Sequence, residues 1–204
     1  MNPLPLNHLP MDLKSALYHR DLAVGEILFT QGEPSEAIFV VEVGCILLMN
    51  YTDHGQQINH YSVRAGEMFA ELVLFKDTYV CSAIASAPSR VLVLPKSAFW
   101  RALNPTTDLA AMFMSQLAKR LHESKLLLDL RSIRSAPQRV LHYLRLMSPA
   151  PDQTPDQTIV LDRPLKEIAY DLGLTPESLS RALKHLQGVG AITRKQRQIT
   201  FHQP

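Results

Sequence analysis

Residues 165–186, LKEIAYDLGLTPESLSRALKHL, constrain this chain more than any other stretch, because they read residue by residue as two helices around a tight turn. In the first half Ile168 and Leu172 share one face at i and i+4, and small Ala169 lets a second helix approach closely. Gly173 then ends that helix in the left-handed position where a side chain is strained. Leu174 can plug the turn. Thr175 offers a hydroxyl N-cap, and Pro176 takes the first helical position, where a missing N–H costs nothing. The second helix is expected to bury Leu179, Ala182, Leu183 and Leu186 and to turn Glu177, Ser178, Ser180, Arg181 and Lys184 outward. That outer face suits base edges: arginine for the paired acceptors of guanine, glutamate for the cytosine amino group, serine for either.

An ordinary helical hairpin with a charged outer face is the plain alternative, and the flanking residues argue against it. TIVLDRP before the pattern and AITRKQRQITF after it read as short strands, the second folding back around a basic turn at residues 195–197. A helix-turn-helix with a two-stranded wing is a DNA-binding arrangement whose wing tip meets phosphate. Lys195 and Arg197 occupy that tip. Net charge is only +2 over 204 residues, yet residues 134–204 hold 10 Lys+Arg against 6 Asp+Glu, whereas residues 1–133 hold 11 against 13. The basic excess therefore accompanies the helix-turn-helix, as an electrostatic footprint for double-stranded DNA requires.

The remainder reads as one further domain and a connecting helix. Residues 11–22 look like a short amphipathic helix, after which Gly25, Gly32, Gly44, Gly55 and Gly66 punctuate apolar runs such as EILFTQG, AIFVVEVG and CILLMNYT. Turn residues recurring every 8 to 12 or so positions between short apolar runs mark an antiparallel sandwich or barrel. Residues 20–95 are thus expected to form a β-roll, with QINHYSV, YVCSAIAS and SRVLVL as further strands and one or two helical turns at residues 68–75. A short helix is expected at residues 96–103 and a long one from about 107 to 133. Along the long helix Ala110, Met114, Leu117, Leu121, Ser124, Leu128 and Arg131 alternate steps of four and three, a heptad seam that fits a parallel homodimer through Met114, Leu117, Leu121 and Leu128. Phe113, Leu127 and Leu130, rotated slightly from the seam, would pack within the chain. Ser135 opens another helix through Met147, residues 148–158 read as a Pro- and Asp-rich loop, and residues 132–135 are the expected hinge. The fold class expected is α+β, with a sensor roll at residues 1–105, a dimerisation helix at 106–133 and a winged helix-turn-helix at 134–204.

In that order the parts resemble the Crp/Fnr superfamily of bacterial transcription regulators over nearly the whole chain. GEILFTQGEPSEAIFVVEVG is similar to that family's opening strands, GEMFAELVLF followed by CSAIA to its phosphate-binding cassette, and TPESLSRALKHLQ to its recognition helix. The resemblance implies a homodimeric regulator on a palindromic promoter site, an activator or repressor that contacts RNA polymerase and changes its DNA affinity when the cyclic-nucleotide-binding-like roll senses a signal. The E-x-x-S-R pattern of Glu177, Ser180 and Arg181 is similar to the Fnr branch and implies a TTGAT-like half-site. Pro176 stands where the cyclic-AMP-receptor branch has an arginine.

The cassette departs from the cyclic-AMP-binding pattern in the same way. Its Gly-Glu pair is here Ala70-Glu71 and its Arg-Ser pair is Cys81-Ser82, so a neutral thiol replaces the guanidinium that neutralises the cyclic phosphate. Glu71 could still accept a ribose hydroxyl and Ser82 donate to an oxygen, which leaves Glu71, Cys81 and Ser82 as candidates for an effector other than cyclic AMP. The effector is unknown. Haem is the alternative ligand, with His8, His54, His60, Met68 and Cys81 as axial candidates, although such scattered residues are more often surface or core. The cysteine cluster of the oxygen-sensing branch is missing before Cys45, and Cys81 in YVCSAIA reads as a buried, structural thiol.

Other classes fare worse. Two cysteines make neither a disulfide framework nor a four-cysteine metal site, and no resident metal is expected. No phosphate loop, nucleophile elbow or HExxH appears, so no catalytic residue is assigned and an enzyme is not expected. A nucleotide-binding-type module that regulates another protein is countered by the intact helix-turn-helix. No apolar run approaches the roughly 18 residues of a membrane span, and the N-terminus lacks a signal-peptide pattern, so a cytoplasmic protein without membrane contact is expected.

Overall fold

The computed structural model describes residues 9–51, 54, 57–103, 108–148, 157–161 and 163–202. By its internal contacts the chain divides into two compact units, Met1–Gln116 and Leu117–Pro204.

The first unit opens with helix α1 (Met11–Ala16), followed by strands β1 (Tyr18–Leu22), β2 (Ile27–Phe29), β3 (Ala37–Val43), β4 (Cys45–Tyr51), β5 (Gln57–Arg64), β6 (Met68–Phe69), β7 (Ser82–Ala85) and β8 (Ser89–Pro95). They form two four-stranded sheets, ordered β1-β8-β3-β6 and β2-β7-β4-β5, in which every pairing is antiparallel. The expected roll is therefore present. Its centre is a run of stacked rings, with Phe29 on Tyr79 at 3.8 Å between centroids and Phe39 on Phe69 at 5.2 Å. Tyr79 also donates its hydroxyl to the Ala37 carbonyl, so its polar tip is satisfied inside the core. In β3 the residues from Ala37 to Val41 are all buried, and so are those from Val91 to Leu94 in β8, which explains why these runs read as continuously apolar. Helix α2 (Lys96–Ala102) contributes fully buried Phe99, which meets Phe113 of helix α3 (Asp108–Ser132) edge-on at 5.4 Å.

Two elements of this region differ from expectation. The helix expected over residues 11–22 stops at Ala16, and Tyr18–Leu22 instead pairs with β8. The exposed edge of β8 decides this, since an antiparallel partner satisfies its backbone groups and the Arg90–Asp21 pair closes the two strands at 2.7 Å. Residues 68–75 do not start as a helix: Met68–Phe69 pairs with β3, Ala70 turns in the left-handed region at φ 66°, and only Glu71–Phe75 forms a 3-10 turn.

The second unit contains the rest of α3, then helices α4 (Ala136–Leu146), α5 (Leu165–Asp171) and α6 (Pro176–Gly188) and strands β9 (Thr158–Val160), β10 (Ile192–Lys195) and β11 (Gln198–Phe201). Ser135 caps α4 by accepting the Gln138 N–H. Leu130, Val140, Tyr143, Leu144, Ile168 and Leu172 share one core with the inner face of α6 and with Ile192 and Ile199. The wing has three strands and not two, because β9 pairs with β11 on the side opposite β10. At the step expected as a hinge, the Arg139 guanidinium donates twice to the Ile133 carbonyl, at 2.6 and 3.0 Å. The loop expected at residues 148–158 falls outside the described residues over 149–156. Among the described residues no helix is long and apolar enough to cross a membrane.

Candidate nucleic-acid interface and sensor roll

The turn between α5 and α6 closes as its residues require. Gly173 sits at φ 62°, its N–H bonds to the Tyr170 carbonyl at 2.9 Å, and the N–H of Leu174 bonds to the Ala169 carbonyl at 2.8 Å. That pair of bonds is the Schellman closure, which leaves the carbonyls of Asp171 and Leu172 to other donors. Two arginines supply them. Arg131 of α3 donates to the carbonyls of Tyr170 and Asp171, and Arg139 of α4 donates to that of Leu172 at 2.8 Å. Cationic donors at a helix C-terminus also complement its dipole. Heptad periodicity puts Arg131 on the seam, yet its guanidinium is committed to the end of α5; nothing local in the sequence connects positions 40 residues apart.

Helix α6 begins on Thr175, whose hydroxyl accepts the Ser178 N–H at 3.1 Å, with Pro176 at its first position. Leu179, Ala182, Leu183 and Leu186 are buried at 1–4% exposure, while Glu177, Ser180, Arg181 and Lys184 are exposed and Ser178 is half-buried. Its own backbone N–H holds the Glu177 carboxyl below the usual carboxylate range, with the Arg181 charge adding to it. Arg181 in turn donates to the Ser178 hydroxyl at 3.1 Å, and that same oxygen accepts from Thr175 at 3.1 Å. At the wing tip Gln196 takes a left-handed turn at φ 53°, with Lys195 exposed beside it. Arg197 is exposed as a residue, but its Nε–H closes on the Leu161 carbonyl at 2.9 Å, which ties β9 to the wing.

In the roll, Glu71 opens the 3-10 turn directly after Ala70. Ser82 is buried, and its oxygen accepts the Gln31 N–H at 3.0 Å, so that lone pair serves the fold. Cys81 is half-buried and not fully enclosed; burial pushes its thiol up, away from a reactive thiolate. A shallow depression lined by Asp21, Leu22, Val43, Pro88, Ser89 and Arg90 shares no residue with Glu71, Cys81 and Ser82. Of the axial candidates, Met68 is locked in the core and His54 stands exposed after β4, whereas His8 and the side chain of His60 lie outside the described residues. On α3, Met114, Leu117, Leu121 and Leu128 are 61%, 39%, 58% and 64% exposed, while Ala110, Phe113 and Leu130 are buried. Ala110 thus leaves the seam for the interior.

A cyclic-nucleotide-binding type of roll joined by a long helix to a winged helix-turn-helix defines a two-domain transcription regulator. Residues 19–105 match the cyclic nucleotide-binding domain family and residues 138–204 the Crp-like helix-turn-helix domain family. The chain belongs to the Crp/Fnr family. It is 25% identical to the transcriptional activator protein anr of Pseudomonas aeruginosa, over 97% of this chain and 82% of that protein. It is 23% identical to the global nitrogen regulator of Synechococcus elongatus, over 88% of this chain and 83% of that protein. FixK2 from Bradyrhizobium japonicum shares the fold at a TM-score of 0.66 and 21% identity, over 92% of this chain and 93% of that one.

Proposed function

We propose that this chain is a homodimeric, sequence-specific transcription regulator that reads a two-fold symmetric TTGAT-like site in the cytoplasm and acts by binding, not catalysis. The observation that carries the reading is the exposed set Glu177, Ser180 and Arg181 over the first two turns of a helix whose other face is fully buried. Such a helix can enter a major groove without unfolding anything, and its N-terminal residues meet the base edges there. Arg181 reads the guanine, Glu177 faces a cytosine amino group and Ser180 lies beside a thymine methyl or a neighbouring base edge. Thr175, Ser178, Lys184, Lys195 and Arg197 flank that set. Phosphate contact is the role of Lys195 above all, because Arg197 spends its Nε–H on Leu161.

In this reading residues 1–105 sense the signal, residues 106–133 hold two copies together through Met114, Leu117, Leu121 and Leu128, and residues 134–204 bind DNA and present the bound dimer to RNA polymerase. Cyclic AMP is not the signal, since the thiol of Cys81 cannot neutralise a buried phosphate. Selection from a random duplex library tests the base-reading assignment. Arg181→Ala should cost about 1 to 3 kcal/mol per half-site and relax preference at the guanine alone. Lys195→Ala should weaken all sequences alike and flatten the salt dependence by about one phosphate contact. If Arg181→Ala keeps the guanine while Lys195→Ala alters the selected sequence, the two roles are reversed.

A further inference from the structure

We infer that Ser178 is a positioning and specificity-determining residue: its hydroxyl holds the Arg181 guanidinium in place for guanine before DNA arrives. This rests on the base-reading role proposed for Arg181 and assigns to Ser178 a part distinct from any contact with DNA. The Ser178 oxygen receives two hydrogen bonds, one from the Thr175 hydroxyl and one from the Arg181 guanidinium, each at 3.1 Å. Thr175 is itself fixed, because its oxygen caps α6 by accepting the Ser178 N–H. The chain of contacts therefore runs from the helix cap, through one serine oxygen, to the tip of a long exposed side chain. Position 178 is one turn before position 181, so the two side chains meet on the helix surface.

Three physical points give this arrangement a consequence. A free arginine loses much rotamer entropy on docking, and a side chain already held in its bound rotamer loses less. A guanidinium has five N–H donors and guanine needs two, so the bond to Ser178 can persist in the complex. An oxygen that accepts from both Thr175 and Arg181 has its lone pairs occupied, which leaves its own proton as the only hydrogen-bonding capacity it can offer a base or a phosphate. The serine thus acts on the sequence through Arg181.

The test uses the full chain in random-duplex selection and competition binding, with Ser178→Ala, Ser178→Thr, Arg181→Ala and the Ser178→Ala/Arg181→Ala double variant. Ser178→Ala should reduce discrimination in favour of guanine about fivefold per half-site, the worth of one net hydrogen bond. Ser178→Thr, which keeps the hydroxyl, should restore it. In the Arg181→Ala background, Ser178→Ala should change nothing further. The cap itself needs only the backbone N–H of residue 178, so thermal melting of Ser178→Ala should stay close to that of the natural sequence. A Ser178→Ala protein with unchanged guanine preference overturns the inference, as does one that weakens every sequence equally, which would make Ser178 a phosphate contact. Should Arg181→Ala itself leave guanine preference intact, the base-reading assignment has failed; should it erase that preference while Ser178→Ala does not move it, only the inference about Ser178 has failed.

Discussion

Helices α3 and α6 carry apolar stripes of the same kind and meet opposite fates. On α6, Leu179, Leu183 and Leu186 are at most 4% exposed, whereas on α3 Leu117, Leu121 and Leu128 are at least 39% exposed. Spacing does not separate them, since both stripes recur at three and four residues. Surroundings do. The α6 stripe faces α4, α5 and β10 within about 50 residues of chain, and these close over it. Leu109 and Phe113 near the start of α3 are buried in the first core, and Leu130 near its end in the second, but every leucine of the seam between them is exposed. A stripe that its own chain leaves open is one a second chain can cover, which is how the α3 seam supports the proposed dimer.

Breaking the two stripes should give opposite phenotypes, and the largest effect is expected on α6. Leu183→Ala removes buried methyl groups from a closed core and should cost about 3 to 5 kcal/mol, much of the stability of a domain this size. Chemical denaturation should show it, with dimerisation measured on the folded fraction unchanged. Leu121→Glu should do the reverse: each protomer keeps its fold by circular dichroism, while sedimentation shows the dimer weakened by on the order of a hundredfold or more, because two carboxylates enter the apolar seam. A Leu121→Glu protein that sediments as a normal dimer would mean that the open stripe has another use. The smallest effect is expected from Arg131→Ala. Although heptad spacing puts Arg131 on the seam, its guanidinium bonds to the carbonyls of Tyr170 and Asp171. The substitution should lower the melting point of the second unit by the equivalent of about 1 kcal/mol and leave dimerisation alone. Loss of the dimer would return Arg131 to the seam.

How much could be read beforehand follows the range over which each feature is decided. The helix-turn-helix was legible to the residue, because the Gly173 closure, the Thr175 cap and Pro176 act on neighbours within five positions. The roll was legible as a rhythm of turns and apolar runs. Its first strand was not: MDLKSALYHRDL has a helical texture, and the free edge of β8 converts its second half to a strand. In the cassette, the substitution of Cys81 for an arginine could be seen at once. That the oxygen of Ser82 is already engaged by Gln31, 51 positions away, could not.

The sequence by itself determined where the two helices of the helix-turn-helix start and stop, which faces are apolar, where basic charge gathers and which cassette residues depart from a cyclic-AMP site. Those properties are local, governed by caps, glycine conformations and side-chain periods of two or 3.6 residues. Only the tertiary structure decided how the polar ends of long side chains are spent. It places Arg131 and Arg139 on the carbonyls that close α5, and Arg197 on Leu161 rather than wholly outward. A guanidinium at the end of a flexible stem has no periodicity to betray its partner, because what fixes it is whichever unsatisfied acceptor the folded backbone brings within about 3 Å.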